Sequence, residues 1–235
     1  MNNKKKKIIF VACDTSNLNK IKKIINQTKT NEINIIPKFG LQFFYSKQGR
    51  KFLEKINIDF WLDLKINDIP QTALSAIDSL KDLKKCKYIT VHANGGLEML
   101  KSIKKQAKNI NKNLKILGVT VLTSLNNKSL KEIGHTKSVK KLILKQANLI
   151  KKAGLNGIVC SGGIEAKIIK KKYKNMFIVT PGIRLPGDRS NDQSRVTTPR
   201  DALIKNKASA IVMGRSLVQG NIKKNIKKLI DHLNK

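Results

Sequence analysis

The chain has 235 residues, and 40% of them are hydrophobic, which is enough to bury a core and excludes a disordered protein. Its 49 basic and 15 acidic residues give a formal net charge of +34 at pH 7. No run approaches the roughly 18 uncharged residues of a membrane-spanning helix. Three scattered cysteines exclude a disulfide scaffold and a cysteine zinc site, and indicate buried thiols in a reducing, cytoplasmic compartment.

Short apolar runs alternate along the chain with longer amphipathic segments. The runs are apolar nearly throughout, which is typical of parallel strands covered on both faces. The predicted strands are 8–14, 33–39, 58–64, 87–92, 115–122, 157–161, 176–182 and 208–214.

The segments between the strands carry lysines on one face and Leu or Ile on the other, as surface helices do. The predicted helices are 17–28, 46–56, 71–83, 97–109, 139–153, 165–173, 199–205 and 222–233. Eight successive β-then-α units predict an α/β fold, a closed (β/α)8 TIM barrel, in one domain over residues 1–235. Active sites of this architecture lie at the C-terminal ends of the strands.

The charge has two interpretations. A strongly basic chain is typical of nucleic-acid binders. However, 43 of the 49 basic residues are Lys, and Lys, Asn and Ile, all encoded by A+T-rich codons, make up about two fifths of the chain. A selected nucleic-acid surface would favour Arg. We therefore expect genome-wide drift, with lysines dispersed over the outer helices, and do not expect a nucleic-acid partner.

The densest polar cluster follows the third predicted strand, at DLKINDIP (63–70). Side chains alternate along a strand, so Asp63 and Lys65 are predicted to point together into the barrel mouth, with Asp68 in the loop that follows. Two carboxylates that bracket an ammonium form a coupled charge triplet, which would hold Lys65 charged as a proton donor. A structural salt bridge is the alternative.

Two further clusters follow strands seven and eight, where TIM barrels commonly bind phosphate. Arg184 ends the segment TPGIR, and a polar loop leads from it to Gln193. Gly214 and Arg215 follow the last strand, where a glycine and the start of a helix favour an anion. Together the clusters predict a phosphate site, although each alone would fit a turn with a solvated arginine.

These motifs resemble orotidine 5′-monophosphate decarboxylases nearly end to end. DLKINDIP resembles the signature D-x-K-x-x-D-I-P of that family. Other blocks match in the same order: VACD (11–14), HANGG (92–96), GVTVLTS (118–124), GIVCS (157–161), VTPGIR (179–184), DQSRVTTP (192–199) and VMGRS (212–216). The resemblance implies decarboxylation of orotidine 5′-monophosphate to UMP, with no metal and no organic cofactor.

The resemblance also implies a role for each matching residue. The predicted catalytic residues are Lys65, which protonates C6, Asp63 beside the substrate carboxylate, Asp68, which reaches the partner's site in a homodimer, and Lys38 in the charge network. The predicted substrate contacts are Asp14 and Lys38 to the ribose, Thr123 or Ser124 to the pyrimidine, and Arg184, Gln193, Gly214 and Arg215 to the phosphate.

Some positions depart from the family pattern or stay undecided. Asn67 stands where members often carry His, and segments 160–166 and 204–209 are slightly longer than usual. We expect a structural role for His92, since the Lys65 chemistry needs no imidazole. The side chain of Trp61 points either with Asp63 or outward.

Two rival functions remain at this stage. Mg²⁺-dependent sugar-phosphate decarboxylases and synthases of the same superfamily also carry D-x-K-x-x-D, although Ile69-Pro70 and the pair Arg184 and Gln193 favour the nucleotide enzyme. A non-catalytic nucleic-acid-binding barrel would need aromatics for stacking, and the chain has only 11.

Overall fold

Within residues 6–188 and 196–235, which the computed structural model describes, eight parallel strands close into a barrel. Each strand pairs with its sequence neighbours, and the eighth pairs with the first. The strands are Ile8–Ala12 (β1), Asn34–Gly40 (β2), Phe60–Ile66 (β3), Cys86–His92 (β4), Lys115–Val119 (β5), Gly157–Val159 (β6), Phe177–Thr180 (β7) and Ala210–Met213 (β8). The predicted TIM barrel is confirmed.

Helices cover the outside of the barrel. They are Leu18–Gln27 (α1), Leu41–Phe44 (α2), Gly49–Lys55 (α3), Pro70–Asp78 (α4), Gly96–Ile110 (α5), Asn127–Glu132 (α6), Val139–Lys152 (α7), Ile164–Lys172 (α8), Arg215–Val218 (α9) and Ile222–Asn234 (α10). A 3-10 turn forms at Ala93–Gly95 and a π-helical turn at Asp201–Lys205. No helix in these described segments is long and apolar enough to cross a membrane.

The helices bury one face against the strands. In α10, Ile222, Ile226 and Leu229 are buried, as their helical spacing predicts. A fully buried aliphatic side chain stabilises the fold by about 1.5–3 kcal/mol, so this layer of contacts supplies much of the stability. Asn17 starts α1 by accepting a hydrogen bond from the backbone N–H of Lys20.

A second, smaller core fills the barrel interior. Trp61 is 1% exposed there and packs edge-on against Phe10, with ring centroids 4.6 Å apart. Phe10 packs similarly against Tyr88, at 5.1 Å. The side chain of Trp61 therefore points inward with Asp63, which decides between the two orientations, and it forms part of the floor beneath the barrel mouth.

The predicted helix 46–56 is shorter in the structure, where α3 spans Gly49–Lys55, and a separate short helix that was not predicted, α2, precedes it. The Ser46 hydroxyl donates to the Phe43 carbonyl at 2.7 Å and closes a turn between them. A Cβ at Gly49 would lie 1.7 Å from that same carbonyl oxygen, so only glycine allows this close approach.

Several other element ends differ from the prediction. The predicted strands at 115–122, 157–161 and 176–182 end two or three residues early, because the chain turns over the barrel rim there. By contrast, the predicted helix 199–205 is helical over its full length. Its residues Asp201–Lys205 form the π-helical turn, and the N–H of Asn206 donates to the carbonyl of Asp201.

Candidate active site

A cavity of about 530 Å³ opens at the C-terminal ends of the strands, where the barrel fold predicts the active site. Apolar side chains from several strands form its floor and walls. They include Ala12, Trp61, Val119, Val159, Pro181 and Val212. Charged side chains also line it: Asp14, Lys20, Lys38, Asp63, Lys65, Arg184 and Arg215.

Four of these side chains form one ion-pair chain. The Asp63 carboxylate oxygen Oδ2 lies 3.0 Å from Lys65 Nζ and 3.2 Å from Lys38 Nζ. Lys38 Nζ lies in turn 3.2 Å from Asp14 Oδ1. The strand order explains the assembly, because the four residues come from the ends of β1, β2 and β3, which are neighbours in the barrel.

The centre of this network is buried. Asp63 and Lys38 are 8% and 7% exposed. Burial opposes the charge on Lys38, but Asp63 and Asp14 outweigh it and raise the pKa of Lys38 above its usual value. Burial likewise opposes the charge on Asp63, but Lys38, Lys65 and a hydrogen bond from Thr90 together lower its pKa. Lys38 and Asp63 are therefore held in their charged forms at neutral pH.

Lys65 reaches the site through a bulge in β3. Between Leu62 and Ile66 the strand advances four residues, while the facing segment of β4, from Ile89 to Val91, advances two. Lys65 itself has φ of 52°, the left-handed region that costs a non-glycine residue about 1–3 kcal/mol. Asp63 and Lys65 meet as predicted, but through this irregularity instead of regular strand alternation.

Asp68 lies apart from the ion-pair chain. It is exposed in the loop after β3, and its carboxylate accepts a hydrogen bond from the backbone N–H of Ile69 at 2.8 Å. The charge triplet predicted for Asp63, Lys65 and Asp68 is therefore wrong within one chain. Lys38 and Asp14 occupy the positions beside Asp63 and Lys65 instead.

The predicted phosphate residues that the structure describes line the same cavity and follow β7 and β8. Arg184 is buried, donates from Nη1 to the Ile183 carbonyl at 3.0 Å, and follows a turn in which Gly182 has φ of 75°. Burial and the nearby Arg215 both lower the pKa of Arg184. Gly214 precedes α9, which Arg215 begins. The predicted Gln193 lies outside the described residues.

Three other residues considered in the sequence differ in their relation to the cavity. Thr123 lines the cavity, whereas Ser124 is exposed and is not part of the lining. His92 is half-buried, and its Nδ1 accepts a hydrogen bond from the backbone N–H of Asn94 at 3.3 Å. That bond starts the 3-10 turn and gives His92 a structural role.

Thr90 is a site residue that the sequence reasoning missed. Its hydroxyl contacts both Asp63 and the backbone of Lys65, although it lies 25 residues further along the chain. The available signal was its period-two spacing from His92, which places both side chains on one face of β4.

A second groove, of about 420 Å³, lies between α7 and α8. Its lining is mostly aliphatic, with Glu165 and Lys140 as its charged members. Among the described residues, no group of three or more His, Cys, Asp or Glu side chains has an arrangement that would hold a metal ion. The chemistry therefore concentrates at the barrel mouth.

Comparison with known proteins gives concordant results. The sequence profile of the family described as "Orotidine 5'-phosphate decarboxylase / HUMPS family" matches residues 7–228. An orotidine 5′-phosphate decarboxylase from Wolbachia sp. subsp. Brugia malayi is 37% identical over 227 residues, which cover 94% of this chain and 96% of the relative. One from Staphylococcus epidermidis (strain ATCC 35984) is 38% identical over 214 residues, covering 89% and 90%.

A solved structure agrees with the fold. The crystal structure of orotidine 5′-phosphate decarboxylase from Lactobacillus acidophilus superposes with a TM-score of 0.80 at 28% identity. The superposition covers 97% of this chain and 100% of that one.

Proposed function

Because the chain belongs to the orotidine 5′-phosphate decarboxylase / HUMPS family, we propose that it converts orotidine 5′-monophosphate to UMP, the last step of de novo pyrimidine biosynthesis. One observation carries the proposal beyond family membership. The Lys65 ammonium lies 3.0 Å from the buried Asp63 carboxylate in a cavity whose lining also includes Arg184 and Arg215. A proton donor and an anion site thus share one space.

The charge of the cavity complements that of the substrate. Its described lining carries five basic and two acidic side chains, a net of +3. Orotidine 5′-monophosphate carries a phosphate of charge about −2 near pH 7 and a carboxylate of −1. Such complementarity steers an anionic substrate into the cleft.

The reaction follows from the same charges. The bond between C6 and the carboxylate breaks, CO2 leaves, and the electron pair stays on C6, where the ring delocalises it poorly. The fixed ammonium of Lys65 stabilises this developing charge and then transfers a proton to C6. Asp63 lies beside the substrate carboxylate, and their repulsion is relieved as CO2 departs. Lys65 supplies both charge and proton, so the step requires no metal or cofactor.

The remaining lining residues bind the parts of the substrate that do not react. Asp14 and Lys38 hold the ribose hydroxyls, and Thr123 contacts the pyrimidine in preference to Ser124, which is exposed. Arg184, Gln193, Gly214 and Arg215 hold the phosphate. Binding energy from the phosphate, far from C6, orders the site for the chemical step.

The proposal includes a homodimer in which Asp68 reaches the partner's site. Asp68 is exposed at the end of β3, next to Ile69, which is 67% exposed. Leu41 and Tyr45, near the end of the neighbouring β2, are also exposed, at 47% and 75%. Exposed apolar side chains at one edge support an association surface there. The three cysteines, buried and free, support a cytoplasmic location.

A spectrophotometric assay with orotidine 5′-monophosphate, run with and without EDTA, tests the proposed function. We expect turnover that EDTA leaves unchanged. Loss of turnover in EDTA and its return with Mg²⁺ would contradict the metal-free mechanism. Absence of turnover in either buffer would contradict the proposal.

A further inference from the structure

Thr90 joins the two reacting residues of the site by a single hydroxyl. Its Oγ1 donates to Asp63 Oδ1 at 2.8 Å and accepts from the backbone N–H of Lys65 at 3.0 Å. The side chain is fully buried on β4 and is not part of the cavity lining. A hydroxyl has one proton and two lone pairs, so this contact uses its single donor and one of its acceptors.

One of these hydrogen bonds restrains the orientation of the Asp63 carboxylate, and the other restrains the backbone of Lys65. The Asp63 carboxylate is fixed at Oδ2 by Lys38 and Lys65, and Thr90 holds the other oxygen, Oδ1, so the carboxylate plane cannot turn. The backbone N–H of Lys65 belongs to the bulged, left-handed residue of β3, where regular strand pairing to β4 is interrupted. Thr90 replaces the missing ladder bond at that point.

We propose that Thr90 is a positioning residue of the decarboxylation reaction, one that sets the carboxylate plane of Asp63 and the strained backbone of Lys65 with the same hydroxyl. The proposal rests on the proposed function of this site. Thr90 is buried and does not line the cavity, so it acts through the two residues that it holds. Misplacement of a reacting group by about 1 Å can cost a hundredfold in rate, so a loss of this restraint should affect turnover.

The hydroxyl also stabilises the ionised form of Asp63. The charged groups that contact this carboxylate are Lys38 from β2 and Lys65 from β3. Asp14 after β1 pairs with Lys38, and His92 on β4 lies near Lys65. Thr90 adds a hydrogen bond that lowers the pKa of Asp63. Removing the hydroxyl should therefore raise that pKa and move the acidic limb of the rate profile to higher pH.

The test compares Thr90→Val, which replaces the hydroxyl by a methyl of similar size, with Thr90→Ser, which keeps the hydroxyl. We expect Thr90→Val to lower kcat at least tenfold with a smaller change in KM and an upward shift of the acidic limb. Thr90→Ser should stay within about threefold of wild type. Thr120→Val is the matched control, because Thr120 is equally buried and its hydroxyl donates to the Val159 carbonyl, outside the ion-pair chain.

Amide hydrogen exchange at Lys65 gives a readout that does not depend on activity, since Thr90→Val should expose that N–H and accelerate its exchange. If Thr90→Val does not fold, Thr90→Ser and Thr90→Ala are compared, because these two differ by the hydroxyl alone. A wild-type kcat and pH profile in Thr90→Val, or equal activities of the Ser and Ala variants, would overturn the proposal. An inactive wild-type protein would instead contradict the proposed function, and the exchange rate would still report on the Thr90 contact.

Discussion

Asp63 is a buried, charged residue, and the residues around it determine whether the fold tolerates that charge. A buried ion left without its partner destabilises a protein by about 3–5 kcal/mol. Asp63 has two cationic partners, Lys38 at 3.2 Å and Lys65 at 3.0 Å. Lys65 is the more exposed of the two lysines. The site can therefore lose Lys65 and still keep Asp63 neutralised by Lys38.

This arrangement predicts how Lys65→Ala behaves. Decarboxylation should fall below detection, because the charge that stabilises the carbanion and the proton that quenches it disappear together. The protein should still fold, since Lys38 continues to pair with Asp63. Circular dichroism, thermal melting and the orotidine 5′-monophosphate assay measure the two effects separately.

Lys87→Ala is the matched control for that variant. Lys87 is about as exposed as Lys65 and also pairs with a carboxylate, Asp59 at 3.8 Å, but at the opposite end of the strands. It should keep full activity. Near-normal turnover of Lys65→Ala would refute the assignment of the proton donor.

The sequence predicted which residues of the site pair, but not the backbone geometry that brings them together. The spacing D-x-K-x-x-D correctly predicted that Asp63 and Lys65 meet. It could not predict the bulge, because a bulge depends on how β3 and β4 pair and not on β3 alone. For the same reason it missed Thr90, whose two bonds cross between strands.

Elements bring the phosphate residues together in the same way. The last residue of β7, Thr180, pairs with Ile211 of the neighbouring β8, so the loops that follow the two strands emerge side by side. Arg184 and Arg215 come from these two loops and are close enough for Arg215 to lower the pKa of Arg184. Two neighbouring guanidinium groups repel each other, and a bound dianion relieves that repulsion.

We expect Arg215→Ala to weaken binding of UMP about 10- to 100-fold, because a hydrogen bond to a charged group is worth about 1.5–3 kcal/mol. Binding of uridine, which lacks the phosphate, should change little. Titration calorimetry with both ligands measures the difference.

Arg50→Ala is a control for the loss of positive charge alone. Arg50 pairs with Glu54 at 2.9 Å on α3, away from the cavity, and its loss should leave both affinities unchanged. If Arg215→Ala weakened UMP and uridine equally, Arg215 would have a structural role instead of a phosphate-binding one.

Element ends were the least predictable feature of the fold. The short apolar runs located all eight strands, but they could not show that the chain leaves the sheet at Val119 and Val159 while it is still apolar. The short helix α6 was also missed, although Asn126 provides an N-terminal cap by accepting bonds from the N–H groups of Lys128 and Ser129. Residues just beyond the strand ends line the cavity and are therefore apolar, so in the sequence they extend the apolar run past the true end of the strand.

The closed barrel follows at the scale of the whole molecule from the count of alternating units, because eight parallel strands leave no unpaired edge when they close. The predicted dispersal of the lysines is also confirmed. Lysine pairs occur on α1, α5, α7, α8 and α10, and most of these side chains are exposed. Since α1 follows β1 and α7 follows β5, the pairs lie on opposite sides of the barrel.

Assembly gives a prediction that only a dimer can satisfy. If Asp68 completes the partner's site, a Lys65→Ala chain co-expressed with an Asp68→Ala chain should regain activity. One of the two sites in that heterodimer then has both residues intact. Heterodimers purified through two different affinity tags provide the assay sample.

Lys65→Ala paired with itself, carrying the same two tags, is the control and should stay inactive, because neither of its sites has the proton donor. An inactive Lys65→Ala and Asp68→Ala heterodimer of verified composition would contradict the shared site.

The net charge of +34 makes a prediction about salt. Lysines that surround the barrel repel one another over distances that salt screens, since the Debye length is about 10 Å at 0.1 M and 8 Å at 0.15 M. The melting temperature should therefore rise from low to moderate NaCl. The same field attracts a trianionic substrate, so kcat/KM should fall over that range. Differential scanning fluorimetry and initial rates at 10–300 mM NaCl measure both trends, with matched KCl and sodium phosphate series to separate ionic strength from specific ion binding. A melting temperature that falls as NaCl is added would show that self-repulsion does not limit the stability of this fold.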